Sequence, residues 1–259
     1  MANINFEDFK SKVSRIINID LSSYKEKRVE RRSKNLMRKY NIDNYDNYVS
    51  KIRNDHQFKE EFIEHMMINT SEFFRNPENY DFLAEEILPD LFNKHDKVKI
   101  WSAASSNGCE AYTIAIILNE LNIKPKRFQL KATDIDPGIL EEAREAKYKK
   151  NALKNVDDHL IKKYFTKQGK FYHLDSKIKR QVNFSRINLL EDKYESDINL
   201  ILCRNVFIYF TKPVKNRLTN KLSDALSKDG ILFLGNTEYL LQPRKFNLEK
   251  IHTSFYRKL

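Results

Sequence analysis

Apolar side chains in the first part of the chain are spaced three and four residues apart, as on one face of a helix. The series comprises Phe6, Phe9, Val13, Ile16 and Ile17, then Val29, Leu36 and Met37, then Tyr45, Tyr48, Val49 and Ile52, and finally Phe58, Phe62, Ile63 and Met66. This spacing predicts a small all-helical domain, which we place at residues 1–75. Its second helix is expected from about Ser22 to Tyr40, with a serine as its N-cap.

From residue 76 onwards, short apolar runs alternate with amphipathic stretches. A helix is expected first, ending near Pro89, because proline interrupts helical hydrogen bonding. Strands are predicted near 98–103, 128–133, 198–203 and 230–235, and helices near 109–121, 137–147 and 212–227. Strands that alternate with helices predict a mainly parallel sheet.

The alternation is interrupted between Lys149 and Asn183. Residues 157–165 have a helical pattern, whereas GKFYHLD and QVNFSRI alternate polar and apolar positions with period two. Short strands of this kind predict a small antiparallel β-subdomain, inserted at about 165–187.

A strand, a tight turn and a helix follow one another in VKIWSAA, SSNGCE and AYTIAIILNE. Gly108 is one of five glycines in the chain, and it stands where the backbone must bend sharply or approach a ligand. A second strand ends in LKATDID, and the interval from Glu110 to Asp134 fits one turn, helix and strand. Neither GxGxxG nor GKS or GKT occurs, so we expect a nucleoside cofactor without phosphates, S-adenosylmethionine.

Composition excludes several classes of protein. No apolar run approaches the roughly 20 residues that span a bilayer, and the N-terminus has no apolar signal core, so we expect a cytoplasmic chain without membrane insertion. The two cysteines, Cys109 and Cys203, are too few for a disulfide framework. The six histidines show no close pairing, so no metal site is predicted.

The formal charge of +11 is concentrated in two stretches. Residues 10–39 contain eleven Lys or Arg against three acidic residues, and residues 147–186 contain twelve against three. Two basic surfaces predict an acidic partner, although solvated lysine-rich faces are the alternative. The first stretch also contains four arginines, Arg28, Arg31, Arg32 and Arg38. Compositional drift would favour lysine over arginine, so these residues weaken the alternative.

Six segments resemble, in order, the motifs of the CheR family. They are NTSEFFRN (69–76), IWSAASSNGCEAYTIA (100–115), ATDID (132–136), INLL (187–190), CRNVFIYF (203–210) and DGILFLGNTE (229–238). Proteins of this family are S-adenosylmethionine-dependent methyltransferases that esterify glutamates of bacterial chemoreceptors. Six motifs in order, over nearly the whole chain, are far more specific than any one of them.

The resemblance implies an α/β fold of the Rossmann-like class I methyltransferase type. Such a fold has a mainly parallel seven-stranded sheet at 76–259, the β-subdomain insertion and the N-terminal all-helical domain, and the β-prone residues 248–259 would form an antiparallel edge strand. The cofactor-binding residues that it implies are Asn69, Ser71, Arg75, Glu110, Asp134, Asn188, Leu189, Asn205 and Val206. Arg75 and Tyr209 are the expected catalytic residues. Arg28, Arg31, Arg32 and Arg38 are expected to dock the acidic coiled coil of a chemoreceptor.

Two departures from the family pattern affect these expectations. The chain has GCEAYT where the family usually has GEEPYS, and Asn107 stands where Thr is usual. Glu110 is retained, so cofactor binding is expected to survive. The loop between Phe165 and Val182 is short and lacks the glycine-containing insertion of members that bind a receptor's C-terminal pentapeptide. We therefore expect recognition that does not depend on the pentapeptide.

Two other functions remain open from the sequence. The basic surfaces are compatible with a nucleic-acid methyltransferase, but CRNVFIYF stands where an NPPY-type strand end would be expected, so no nucleic-acid partner is predicted. The second is a non-catalytic adaptor that senses S-adenosylmethionine and binds a signalling partner through its helical domain.

Overall fold

The computed structural model describes residues 4–67 and 71–259, and the chain divides into two compact units. The first comprises Met1–Asn69 with Phe207–Lys215, and the second comprises Thr70–Val206 with Asn216–Leu259. The sequence-based boundary after residue 75 stays a prediction. In the structure, Ser71 and Arg75 lie in the second unit, and the later segment Phe207–Lys215 lies in the first.

The first unit is built on helices, as expected. They are α1 (Phe6–Ile17), α2 (Glu26–Lys39), α3 (Tyr45–Asn54) and α4 (His56–Met66). Their apolar faces meet in an aromatic core, where the ring of Tyr48 stacks on Phe9 at 5.1 Å and contacts Phe62 edge-on at 5.6 Å. All three side chains are completely buried. Burial of such rings dominates the energetics of a small core.

Helix α2 begins later than the sequence predicted, and the expected serine cap is wrong. Leu21–Ser23 form a separate 3-10 turn, in which the side chain of Asp20 accepts from the N–H of Ser22. The helix then starts at Glu26, and within the described residues its N-cap Lys25 makes no capping hydrogen bond through its side chain. The serines are therefore used in the preceding turn.

The second unit is organised around a seven-stranded sheet. Its strands are β1 (Val98–Ala103), β2 (Phe128–Asp134), β6 (Val182–Arg186), β7 (Ile198–Cys203), β8 (Leu226–Leu234), β9 (Leu248–His252) and β10 (Phe255–Lys258). They lie side by side in the order β6-β2-β1-β7-β8-β10-β9. Five strands from β6 to β8 are parallel, and β10 is antiparallel to both β8 and β9. The predicted mainly parallel sheet is confirmed.

Helices precede and connect the strands of this unit. They are α5 (Pro77–Phe82), α6 (Leu88–Lys94), α7 (Cys109–Glu120), α8 (Pro137–Glu145), α9 (Asp158–Tyr164), α10 (Ser176–Lys179) and α11 (Lys212–Ala225). Helix α7 is buried from Cys109 to Leu118 except at Glu110, because it lies in the core of the unit. A helix so apolar cannot face water, so its burial in the core fixes the position of the turn that precedes it. Among the described residues, no helix is long and apolar enough to cross a membrane.

The small antiparallel sheet has different members from those predicted. It has the order β3-β5-β4, from β3 (Lys147–Lys149), β4 (Phe165–Gln168) and β5 (Phe171–Leu174). The segment QVNFSRI was assigned to it from its alternating pattern, but this is wrong, because Val182–Arg186 pair in parallel with β2 as the edge of the main sheet. An edge strand is half exposed, so its pattern alternates as an antiparallel strand's does.

Pro89 does not end its helix. The chain remains helical from Pro77 to Lys94, with a π-helical turn at Leu83–Ile87 and Pro89 in the first turn of α6. A proline lacks the N–H for the usual helical bond, and a wide π turn before it is one way to accommodate it.

Candidate cofactor site

The carboxyl ends of the central strands lie side by side. Ala103 of β1 is in register with Thr133 of β2, and Cys203 of β7 is in register with Leu234 of β8. In open parallel sheets, ligands bind outside this edge, where loops to the next helices diverge. The polar residues after each strand therefore define the site.

The turn after β1 is held in an unusual backbone conformation. Ala104, Ser106 and Gly108 have φ of 57°, 51° and 83°. At Gly108 a Cβ would meet Cε2 of Tyr112 at 3.0 Å and Cζ of Phe184 at 3.1 Å, so both the φ and the crowding favour glycine. The turn is anchored to the next strand, because the N–H of Ser105 donates to the carbonyl oxygen of Thr133 at 2.8 Å.

Asp134 is buried at the end of β2, and both its oxygens accept backbone N–H groups. Oδ2 accepts from Ser106 at 2.9 Å, and Oδ1 accepts from Asp136 at 3.2 Å. Burial raises the pKa of Asp134 above its ordinary value, and these backbone donors act in the opposite direction. The carboxylate is thus fixed between two turns with lone pairs left for a ligand's hydroxyl groups.

Glu110 lies in the first turn of α7, with its side chain 12% exposed. Its Oε1 accepts from the hydroxyl of Ser102 at 2.7 Å, and its Oε2 lies 3.8 Å from Nη1 of Arg204. Burial raises the pKa of Glu110, and Arg204 opposes this rise. A poorly solvated carboxylate at this position suits an ammonium group of a ligand.

Arg204 was not identified from the sequence as a site residue, yet it connects several parts of the site. Its guanidinium is buried and donates to the hydroxyl of Tyr80 at 2.8 Å, to the carbonyl oxygen of Arg75 at 2.7 Å and to Oδ1 of Asn76 at 3.0 Å. It also lies over the ring of Phe233, 4.5 Å from its centroid. A signal was available, since Arg204 stands directly after a buried strand in CRNVFIYF.

Glu238 was also missed. It is buried, and its Oε2 accepts from the N–H of Asn205 at 2.7 Å and from the N–H of Gly235 at 2.9 Å. Asn205 has a φ of 60°, so Glu238 holds it in a conformation that few non-glycine residues adopt. The segment GNTE was recognised as a family motif, but its carboxylate received no role.

Asn188 and Leu189 form a tight turn after β6. Oδ1 of Asn188 accepts from the N–H of Leu190 at 3.0 Å, and its own N–H donates to Asp192 at 2.8 Å. The carbonyl oxygen of Leu189 accepts from Nζ of Lys221 at 2.9 Å. The Oδ1 atom of Asn188 therefore shapes this turn.

The segment before α5 supplies the remaining predicted residues. Asn69 lies outside the described residues, whereas Ser71 and Arg75 are partly buried. Burial raises the pKa of the Cys109 thiol strongly, and a hydrogen bond with Ser71 opposes this rise only in part. Trp101 is buried, and its Nε1 donates to Oγ1 of Thr133 at 2.9 Å.

Val206, the last predicted cofactor-binding residue, is buried in the second unit. The predicted catalytic residue Tyr209 and the four docking arginines belong to the first unit. Tyr209 ends a short 3-10 turn, and Cζ of Arg28 lies 4.0 Å from the centroid of its ring. Arg31 and Arg38 are exposed on α2, but Arg28 and Arg32 are half-buried. The four arginines thus do not share one environment.

The residues of the second unit fit S-adenosylmethionine. Two poorly solvated carboxylates, Glu110 and Asp134, offer acceptors for an ammonium group and for ribose hydroxyls, and the turn at Gly108 allows close approach of a ligand to the backbone.

Comparison with known proteins identifies the family of the chain. Residues 69–255 match the model of the CheR methyltransferase, SAM binding domain, and residues 4–67 match the CheR methyltransferase, all-alpha domain. The chain is 34% identical to a chemotaxis protein methyltransferase of Borreliella burgdorferi, over 99% of this chain and 97% of that one. It is 32% identical to one of Listeria innocua, over 95% and 94% of the two chains, and 32% identical to one of Salmonella typhimurium, over 85% and 78%.

The sheet, the carboxylate pair and these matches define a Rossmann-like, S-adenosylmethionine-dependent methyltransferase. Within that class, the chain belongs to the CheR methyltransferase family. The family resemblance seen in the six sequence motifs is confirmed.

Proposed function

We propose that the chain methylates glutamate side chains of chemoreceptors and so forms methyl esters in chemotactic adaptation, in the cytoplasm. The observation that carries the proposal is the pair of poorly solvated carboxylates, Glu110 and Asp134, in a chain similar to chemotaxis protein methyltransferases over nearly its full length. S-adenosylmethionine, when bound, supplies an electrophilic methyl group.

Each predicted cofactor-binding residue has a chemical role in this proposal. Glu110 accepts from the methionyl ammonium, and Asp134 accepts from the ribose hydroxyls. Arg75 pairs with the methionyl carboxylate or steers the incoming glutamate. Asn188 and Asn205 hydrogen-bond the adenine edge or the amino-acid tail. The proposed set is completed by Asn69, Ser71, Leu189 and Val206.

The substrate requires little chemical activation. A glutamate carboxylate has a reference pKa of about 4.3, so it is ionised near neutral pH and no general base is needed. The nucleophile and the methyl donor lose charge as they react, so a strongly polar site would stabilise the reactants more than the transition state. We therefore expect positioning and exclusion of water to supply most of the rate enhancement, with orientation worth up to about 7 to 11 kcal/mol.

Tyr209 is the proposed residue for orienting the substrate carboxylate. It follows the cofactor-binding residues Asn205 and Val206 closely in the sequence. A phenol hydroxyl can donate one hydrogen bond to a carboxylate oxygen without changing its ionisation, which suits a group that must be held and remain nucleophilic.

The outer face of α2 is the proposed docking surface for an acidic receptor helix. Arg31 and Arg38 are exposed there, and a surface groove is lined by Lys27, Glu30, Arg31, Lys34, Asn35, Met37, Arg38 and Ile42. Complementary charge of this kind increases the rate of encounter and fixes the register of the partner. Arg32 contributes less directly, because it is half-buried and its Nε donates to the carbonyl oxygen of His65.

The β-subdomain is proposed to work without a receptor pentapeptide. Strands β4 and β5 are joined by a tight turn at Gly169, which has a φ of 58°. Calorimetry with a receptor's C-terminal pentapeptide should therefore show no specific binding. Saturable binding of that peptide would overturn this part of the proposal.

The test of the proposal is transfer of a radiolabelled methyl group from S-adenosylmethionine to receptor-enriched membranes. We expect base-labile label on receptor in the presence of the wild-type chain and much less with Asp134→Asn. The exposed substitution Asp96→Asn is the matched control and should leave transfer unchanged. Label on RNA instead of protein would favour a nucleic-acid methyltransferase, and cofactor binding without any transfer would favour a sensing adaptor.

A further inference from the structure

The turn that carries Tyr209 is bonded to the residues that precede α2. The N–H of Lys25 donates to the carbonyl oxygen of Tyr209 at 2.9 Å, and the N–H of Thr211 donates to the carbonyl oxygen of Ser23 at 3.1 Å. The two bonds form part of a short antiparallel connection. The backbone of Tyr209 is therefore fixed to the start of α2, within the first unit.

Side chains reinforce this connection. Tyr24 and Phe210 pair as an isolated antiparallel bridge, and their ring centroids are 5.1 Å apart. Phe210 is 4% exposed, so the contact is shielded from water. Burial of an aromatic pair makes the attachment of this turn to the helical unit stronger than two hydrogen bonds alone.

Arg28, in the first turn of α2, lies on the ring of Tyr209. Its Cζ is 4.0 Å from the ring centroid, well inside the range of about 6 Å for a cation–π interaction. Burial lowers the pKa of Arg28, and the interaction with Tyr209 opposes this change. Both observations describe a guanidinium that is packed on the tyrosine and only partly solvated.

We propose that Arg28 is a positioning residue for Tyr209, so that α2 both docks the acidic substrate helix and sets the orientation of the tyrosine. The inference rests on the proposed function and reassigns Arg28, which the sequence placed among the docking residues. Arg31, three residues later, is exposed and carries recognition charge, whereas Arg28 is half-buried on the ring. The same helix thus contains one arginine expected to affect kcat and another expected to affect KM for receptor.

Steady-state kinetics with receptor separates the two roles. Arg28→Lys keeps the charge but loses the planar group that stacks on the ring, so kcat should fall about tenfold with little change in KM for receptor. Arg31→Gln should instead raise KM for receptor. Arg53→Lys on α3, an exposed arginine given the same change, is the control and should behave as wild type. Wild-type kcat in Arg28→Lys would overturn the inference.

A readout that needs no turnover completes the test. With 3-fluorotyrosine placed at position 209, the ¹⁹F resonance should shift on Arg28→Lys and should not shift on Arg53→Lys, while the thermal unfolding midpoint shows that both variants are folded. An unchanged resonance in Arg28→Lys would contradict the contact. If the wild-type chain methylates no receptor, the proposed function fails, and the resonance still decides whether Arg28 positions Tyr209.

Discussion

Several side chains of the candidate site have hydrogen-bond partners that lie far away in the sequence. The sequence pointed to Glu110 and Asp134 because each follows a recognisable apolar strand, and strand ends are where ligands bind in such folds. It did not point to Arg204 or Glu238, because their roles come from contacts with residues far away in the chain. Arg204, for example, bonds to Tyr80, which lies 124 positions earlier.

Replacement of Arg204 by lysine should damage both the fold and the site. The guanidinium donates hydrogen bonds to Tyr80, Arg75 and Asn76, and a lysine can replace only some of them. We therefore expect a loss of about 2 to 4 kcal/mol in the free energy of unfolding. Cofactor affinity should fall at least about tenfold, because the segment with Arg75 loses its anchor. Urea unfolding and calorimetry measure the two effects.

The exposed Arg180 provides the control for this substitution, since Arg180→Lys makes the same chemical change in the same unit. Cofactor affinity and stability of the control should match the wild type. Wild-type affinity in Arg204→Lys would show that Arg204 does not organise the site.

Protonation of Glu110 should weaken cofactor binding. The pKa of Glu110 is raised above its ordinary value, chiefly because burial disfavours its charge. Arg204, Ser102 and Arg75 oppose this rise, and Glu238 adds to it. A raised carboxyl pKa means that this group stabilises the cofactor-free fold at low pH, and that this stability is lost as pH rises through the raised pKa. The ionised form is the one that accepts an ammonium group, so affinity should fall as pH falls towards that pKa.

Calorimetric titration with S-adenosylhomocysteine from about pH 8 down to about pH 5 measures this dependence. In Glu110→Gln the affinity should be weaker at pH 8 and should vary less with pH. An equally steep pH dependence in that variant would assign the titrating group elsewhere.

Elements that are buried on both faces were predicted closely from the sequence. Strands β1 and β7 have the predicted bounds, because the central strands of a parallel sheet must be apolar throughout. Strand β6 was misassigned because an edge strand alternates polar and apolar residues. The start of α2 was misplaced because Asp20, through its bond to Ser22, stabilises a separate turn.

The turn between β1 and α7 should be intolerant of a methyl group. Gly108→Ala combines a φ of 83° with a Cβ only 3.0 Å from Tyr112, so we expect destabilisation of about 2 to 4 kcal/mol. Gly169→Ala is the matched control, since its φ is 58° and among the described residues nothing lies within 4 Å of its Cβ. It should cost only about 1 to 2 kcal/mol of backbone strain.

Fluorescence of Trp101, the one tryptophan in the sequence, is a suitable probe for both glycine variants, because it lies buried in β1. Equal destabilisation of the two variants would mean that crowding at Gly108 contributes nothing.

At the scale of the whole molecule, the sequence predicted the all-helical part and the mainly parallel sheet, and both are confirmed. It could not predict that Phe207–Lys215 belongs to the helical unit, because that assignment depends on bonds to Ser23 and Lys25 formed across a long sequence separation. Hydrophobic periodicity reports on one element at a time and contains no such information.

Charge reversal on α2 tests whether receptor docking depends on the first unit and cofactor binding on the second. Arg31→Glu with Arg38→Glu should raise KM for receptor about tenfold or more and make KM less sensitive to salt, because the helix loses two of the basic charges that attract an acidic helix. Calorimetric affinity for the cofactor, which depends on the other unit, should remain at the wild-type value. Parallel loss of both quantities would indicate a folding defect instead.

The central claim is that Asp134 and Glu110 hold S-adenosylmethionine at the ends of β1 and β2, and calorimetric titration of the cofactor tests it most directly. The wild-type chain and the exposed control Asp96→Asn should bind with equal affinity. Asp134→Asn should bind about 10- to 100-fold more weakly, because one of its two acceptors for backbone N–H groups is lost together with the charge. Wild-type affinity in Asp134→Asn, or no binding by the wild-type chain at millimolar cofactor, would contradict the account.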